Sequence, residues 1–120
     1  MLTADPEPDY IRTVEALKQL RDENPGVAFV ASNQAIGEAY IVLQKFYQIS
    51  KQVARESLFK VLSRSSISPQ NGQPVLDLLR EKGGCGLMDR LIAQGYAQVG
   101  ATILTNDRKM AQLPNARLLF

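Results

Sequence analysis

Short runs of β-forming residues alternate along this chain with longer segments of helical periodicity, and this alternation constrains the fold more than any other feature. The predicted strands cover residues 27–31, 66–68, 101–105 and 116–119. Strands that alternate with helices are typical of parallel sheets, because the crossover connections of such sheets are helical. We therefore predict an α/β fold in one domain, residues 1–120, with a three-layer arrangement of a parallel sheet and helices on both faces.

Residues that favour helix ends mark the helices of this prediction. Asp5, which is followed by a proline, is placed to cap a first helix that stops at residues 24–26. Ser32 and Ser50 are placed to cap the next two helices in the same way. The remaining helices are predicted at residues 74–82, 88–99 and 108–113, the second of them ending at Gly100.

The composition excludes several classes of chemistry. The chain has no histidine and one cysteine, Cys85, which excludes His-dependent catalysis and metal sites built from imidazoles or several thiolates. A lone cysteine forms no internal disulfide, which favours a reducing cytoplasm. No run approaches the roughly 18–20 apolar residues of a membrane span, and no signal-peptide pattern opens the chain. A net charge of +2 is too small to indicate a nucleic-acid partner by itself.

Three carboxylates lie where one predicted element passes to the next. Glu38 lies early in the helix after the first strand, and Asp107 follows the strand 101–105 within two residues. Asp89 opens the helix 88–99 and heads a stripe, continued by Ile92 and Tyr96, that we expect to face the core. Three acids at such positions can converge on one pocket, and an all-oxygen pocket suits Mg²⁺ or Mn²⁺.

Each acid also has a purely structural interpretation. Glu38 lies at the border of an apolar helix face, where a solvated carboxylate is common. Asp89 and Asp107 each lie at a helix start, where an Asp side chain caps free main-chain N–H groups and the helix dipole favours negative charge. Position alone does not decide between caps and ligands, since a first-turn Asp can also point into a cleft.

Two segments resemble a known family. Residues 88–107 have the sequence MDRLIAQGYAQVGATILTND, and residues 31–38 have the sequence ASNQAIGE. The first is similar to the C-terminal half of PIN domains, and more closely to that of VapC toxins of bacterial toxin–antitoxin pairs. Its pattern is an Asp that opens a helix with Leu-Ile-Ala, then a Gly, a strand and Thr-x-Asp. The second is similar to the family's strand–helix step that carries another acid, so the resemblance spans nearly the whole chain.

The resemblance implies an endoribonuclease that cleaves single-stranded RNA with Mg²⁺ or Mn²⁺. It makes Glu38, Asp89 and Asp107 the catalytic and metal-binding residues, and Thr105 a polar supporting group. It also implies a cognate antitoxin and a homodimer. From their charge and their place near the acids, we predict phosphate contacts for four basic residues, foremost Arg90 and Lys109 and then Lys45 and Lys51.

The chain departs from the family at its start. The family's first strand, which is central in the sheet and ends in a metal-binding Asp, has no counterpart here, so we expect an N-terminally truncated domain with impaired activity. Asp5 and Asp9 lie in a proline-flanked helix start, which does not reproduce a strand end. Three explanations stay open: the start is internal to a longer gene product, the domain is a decayed PIN domain, or a partner chain fills the gap. The alternative function is a non-catalytic interaction module of the same fold, which dimerises and binds a partner and keeps the acids as caps. A receiver-like domain is disfavoured, because the chain lacks an acidic pair after its first strand.

Overall fold

Six helical segments and four three-residue strands make up the described part of the protein. The computed structural model describes the backbone of residues 8–120 and the side chains of residue 12 and residues 15–120, so the predicted cap at Asp5 and the side chain of Asp9 lie outside what is described. The helices are α1 (Pro8–Glu23), α2 (Asn33–Lys45), α3 (Lys51–Arg64), α4 (Gln73–Leu79), α5 (Leu87–Gln98) and the 3₁₀ helix Met110–Gln112. The strands are β1 (Phe29–Ala31), β2 (Ile67–Pro69), β3 (Ile103–Thr105) and β4 (Ala116–Leu118).

Two helices begin at the serines that the sequence predicts as caps. The Ser32 hydroxyl accepts a hydrogen bond from the main-chain N–H of Ala35 at 3.1 Å. The Ser50 hydroxyl accepts one from Val53 at 3.2 Å. Each bond satisfies one of the N–H groups that the first turn of a helix leaves without a partner. Both predicted caps are confirmed, and they set the start of α2 and α3.

The hydrophobic core lies between four helices. Its buried side chains all come from α2, α3, α4 and α5: Ile36, Tyr40, Leu43, Ala54, Leu58, Leu62, Val75, Leu78, Leu79, Leu87 and Leu91. Burial of such side chains contributes about 1.5–3 kcal/mol each, so these helix contacts dominate the stability of the described part of the chain. Within that part, no helix combines the length and apolarity needed to cross a membrane.

The strands pair in parallel but form two separate sheets. β1 pairs with β2, and β3 pairs with β4. All four predicted strand regions contain a strand: three strands are shorter than predicted, and β2 has the predicted length but lies one residue later. The predicted three-layer α/β fold, with one parallel PIN-like sheet between helices, is wrong. Most of the described residues are helical, and no described strand joins β1 to β3.

Each strand pair has an open edge. The carbonyl of Ala31 faces β2 and accepts a hydrogen bond from the main-chain N–H of Gln70 at 2.9 Å. Because successive residues of a strand point their main-chain groups to opposite sides, those of Val30 point away from β2. The same holds for Leu104 in β3. The carbonyl of the next residue, Thr105, accepts a hydrogen bond from the N–H of Leu119 at 2.8 Å, so the main-chain groups of Leu104 point away from β4. The side chains of Val30 and Leu104 are 58% and 63% exposed. The centres of β1 and β3 are thus open to solvent in the described structure.

Candidate functional site

Asp107 caps the turn at residues 108–110 that leads into the 3₁₀ helix, whose own N-cap position is Lys109. Its Oδ1 accepts hydrogen bonds from the main-chain N–H groups of Lys109 at 2.8 Å and Met110 at 3.1 Å. Its own N–H donates to Thr105 Oγ1 at 3.0 Å, so the predicted supporting threonine holds the turn that carries the acid. The structural interpretation of Asp107 as a cap is confirmed. Its side chain is exposed, and Oδ2 makes no hydrogen bond within the described residues.

Asp89 lies in the first turn of α5, but it is not the N-cap. That position belongs to Gly86, which offers no side-chain cap, so the predicted N-cap role of Asp89 is wrong. The expectation that Asp89 heads a core-facing stripe is also wrong, because Ile92 and Tyr96 are 46% and 51% exposed. The buried face of α5 carries Leu91 instead, packed in the helical core. Asp89 is half-buried, and a carboxylate in the first turn still complements the helix dipole.

Glu38 is an exposed residue of α2. Its Oε1 accepts a hydrogen bond from Gln34 Nε2, one helical turn earlier, at 3.3 Å. The interpretation of Glu38 as a solvated border residue is confirmed.

The described side chains do not form a ready metal site. Among them, no three His, Cys, Asp or Glu residues are grouped so that they could hold a metal ion. Glu38, Asp89 and Asp107 are therefore not grouped in this way in the described structure, where Asp107 already accepts two main-chain hydrogen bonds through one oxygen. Metal binding by these three residues stays a prediction.

A groove lies between α3 and the end of α4, and we call it the basic groove. Its volume is about 540 Å³. Five basic residues line it, against two acids, Glu56 and Glu81; the basic residues are Arg55, Lys60, Arg64, Arg80 and Lys82. Like charges gathered in a concave surface raise the local potential and attract anions.

A second cavity adjoins the basic groove, since Glu81 and Lys82 line both. This loop cavity has a volume of about 410 Å³ and adds two more basic residues, Arg90 and Lys109, with no further acid. The two cavities together gather seven of the 14 basic residues of the chain and two of its 12 acids. A chain of low net charge thus concentrates positive charge along one continuous surface.

The side chains of this surface fall into two groups. Some are held in place: Arg55 donates to the carbonyl of Glu81 at 2.9 Å, and Arg90 donates to the carbonyls of Cys85 at 3.1 Å and Gly83 at 2.6 Å. Others are exposed and make no hydrogen bond or ion pair within the described residues, namely Lys60, Arg64, Lys82 and Lys109. The first group shapes the surface, and the second is available to a ligand.

Compared with known proteins, the chain matches no family model, no curated protein and no solved structure at a significant level. The resemblance to PIN domains therefore depends on the two sequence motifs alone.

The sequence predictions located this surface only in part. Arg90 and Lys109 line the loop cavity as a pair, whereas Lys45 and Lys51 line neither cavity. The cations of α3 were missed. Lys60 and Arg64 lie four residues apart on one helix face, a spacing that places two positive charges side by side. That spacing is a sequence signal, but only the packing of α3 against α4 adds the other cations to it.

Proposed function

We propose that this protein binds single-stranded RNA through the basic groove and the adjoining loop cavity. The observation that carries the proposal is the charge distribution, with half of all basic residues and a sixth of the acids on this one surface. A phosphodiester backbone carries one negative charge per nucleotide, and a row of Lys and Arg side chains that neutralises it releases bound counterions. RNA is favoured over other polyanions by the resemblance to PIN domains.

The shape of the surface favours a single strand over a duplex. An RNA duplex is a rigid A-form helix that proteins contact mostly across its wide, shallow minor groove. Here the cations line a trough, which suits a flexible strand that follows a positively charged channel. The exposed, unpaired cations Lys60 and Arg64 lie on the α3 side of this trough, and the equally exposed Lys82 lines both the trough and the loop cavity. They are the residues that we expect to meet phosphates.

The first experiment measures binding of a labelled single-stranded RNA by fluorescence anisotropy, in EDTA and over a range of salt concentrations. The groove variant carries Lys60→Gln, Arg64→Gln and Lys82→Gln. We expect it to bind at least about tenfold more weakly and its log–log salt slope to be smaller by about 2, since each lost contact on a single strand removes about 0.7.

The control variant carries the same number of charge removals away from the groove. Lys18, Lys45 and Lys51 are exposed and line neither cavity, so their replacement by glutamine tests charge alone. Equal loss of affinity in the two variants would contradict the groove assignment and would favour the sequence prediction for Lys45 and Lys51. Equal affinity of the wild type for RNA and for polyglutamate would contradict a nucleic-acid ligand.

Hydrolysis is tested in the same experiment. No metal-dependent step is proposed, because the described acids are not grouped as a metal site. Addition of Mg²⁺ or Mn²⁺ to the bound RNA nevertheless tests the predicted ribonuclease. Cleavage that EDTA stops and that Asp107→Asn removes would establish it, and intact RNA at saturating protein would leave binding as the activity.

A second candidate function is self-association as an interaction module. The observation that favours it is the exposed apolar stripe formed by Ile92 and Tyr96 of α5 and by Val99, the residue that follows the helix. Sedimentation of the wild type and of Ile92→Ser/Val99→Ser tests it. A dimer that the two serines dissociate is the expected result, and a wild-type monomer at high concentration would exclude a stable homodimer.

A further inference from the structure

One aromatic side chain lies among the cations of the basic groove. Phe59, a half-buried residue of α3, packs on the core and also lines the groove. The guanidinium carbon of Arg80 lies 5.1 Å from the centre of its ring, which is cation–π distance. Arg80 is exposed and immediately follows α4, so this contact bridges the two helices that form the groove.

The pairing of ring and guanidinium differs from a bare positive charge. The guanidinium is planar and stacks on flat π-systems, whereas an ammonium acts as a compact point charge. With Phe59 on one side, Arg80 is held at the groove wall, and its exposed side is available to a ligand in the groove. Nucleobases stack on arginine planes and on aromatic rings, and for aromatic rings the benefit is about 5- to 150-fold in affinity per base.

We propose that Arg80, positioned by Phe59, is the stacking site for one nucleobase of the strand that runs through the basic groove. This inference depends on the proposed RNA binding and adds a contact that charge alone does not supply. The neighbouring cations Lys60 and Arg64 would hold the phosphates on either side, so that one base turns inward toward the groove wall.

The test separates base-dependent affinity from backbone-dependent affinity. The probes are a single-stranded oligonucleotide and an abasic oligomer of the same length, both measured in EDTA. We expect the wild type to bind the base-containing strand about 5- to 100-fold more tightly than the abasic one. Arg80→Lys keeps the charge and removes the plane. It should bind the abasic oligomer as the wild type does and lose most of the preference for bases.

Two further variants complete the experiment. Arg64→Lys makes the same exchange of arginine for lysine in the basic groove, at a residue that does not stack on Phe59. This variant should still bind the base-containing strand more tightly than the abasic one. Phe59→Leu removes the ring and retains apolar volume, and it should reduce the preference as Arg80→Lys does. A strand with 2-aminopurine adds a direct readout, since stacking quenches its fluorescence and Arg80→Lys should abolish the quenching.

The outcomes distinguish this inference from the proposed function. Equal wild-type affinity for the abasic and base-containing strands would overturn the stacking site and leave backbone binding in place. Equal effects of Arg80→Lys and Arg64→Lys would overturn it as well. Failure of the wild type to bind either strand would overturn the proposed function and this inference together. Should Phe59→Leu fail to fold, Arg80→Lys still decides the matter, because Arg80 is an exposed residue.

Discussion

The local signals for single side chains were the most reliable part of the sequence. Ser32 and Ser50 cap helices and Asp107 caps a turn, as their identity and position predict, because a cap bond reaches only two or three residues along the chain. Asp89 was misjudged for the opposite reason. Which face of α5 is buried depends on helices distant in sequence, and they cover Leu91 and leave Ile92 open.

The cap at Asp107 gives the prediction at this scale. Asp107→Ala removes the acceptor of two main-chain N–H groups, and we expect it to lower the free energy of unfolding by about 1 kcal/mol. Asp107→Asn keeps an oxygen in the same place and caps about as well, so it should unfold close to the wild type. Urea denaturation followed by circular dichroism measures both. Stabilisation by Asp107→Asn would instead show that Asp107 lies among repelling carboxylates.

At the scale of elements, the helices were predicted within a few residues, and α5 shows why. Its predicted end at Gly100 is correct: Gly100 has φ +72°, and its N–H and that of Ala101 bond back to the carbonyls of Ala97 and Tyr96. This left-handed closure suits glycine and can be recognised from sequence. The strands were located, but three were predicted too long and β2 one residue too early, since the pairings depend on partners far along the chain.

Gly100→Ala tests this closure. A Cβ at Gly100 would meet nothing within 4 Å, so the cost comes from the left-handed backbone alone. We expect the free energy of unfolding to fall by about 1 kcal/mol. Gly26 is the matched control, because a Cβ there also meets nothing and its φ is not left-handed. Gly26→Ala should leave stability unchanged or raise it by about 0.5 kcal/mol. Equal effects of the two substitutions in urea denaturation would contradict the assigned role of Gly100.

At the scale of the whole molecule, alternation of strands and helices predicted parallel pairing correctly and the architecture incorrectly. Alternation shows that strands are joined by helices, but it does not show how many strands share a sheet. Here the pairs β1–β2 and β3–β4 stay separate, and the core forms between α2, α3, α4 and α5. The charged surface belongs to the same scale. Lys60 and Arg64 were visible as a pair, but the groove exists only because α4 brings Arg80 and Lys82 beside them.

The helical core leads to a prediction that separates the two architectures. Leu91 is 2% exposed between the helices, so Leu91→Ala should lower the free energy of unfolding by about 2–5 kcal/mol through lost burial and a cavity. Val30, at the centre of β1, is largely exposed, so the nearly isosteric Val30→Thr should change the free energy of unfolding by less than about 0.5 kcal/mol.

The contrast between these two variants is the measurement, made in one urea series. In a sheet covered on both faces, Val30→Thr would bury a hydroxyl without a partner and cost about 1–3 kcal/mol. If Val30→Thr lowers the free energy of unfolding by that much and Leu91→Ala also lowers it, β1 is covered in solution by a strand or partner that the described residues do not supply. A large loss for Leu91→Ala alone would place the stability in the helices, as the packing of their side chains requires.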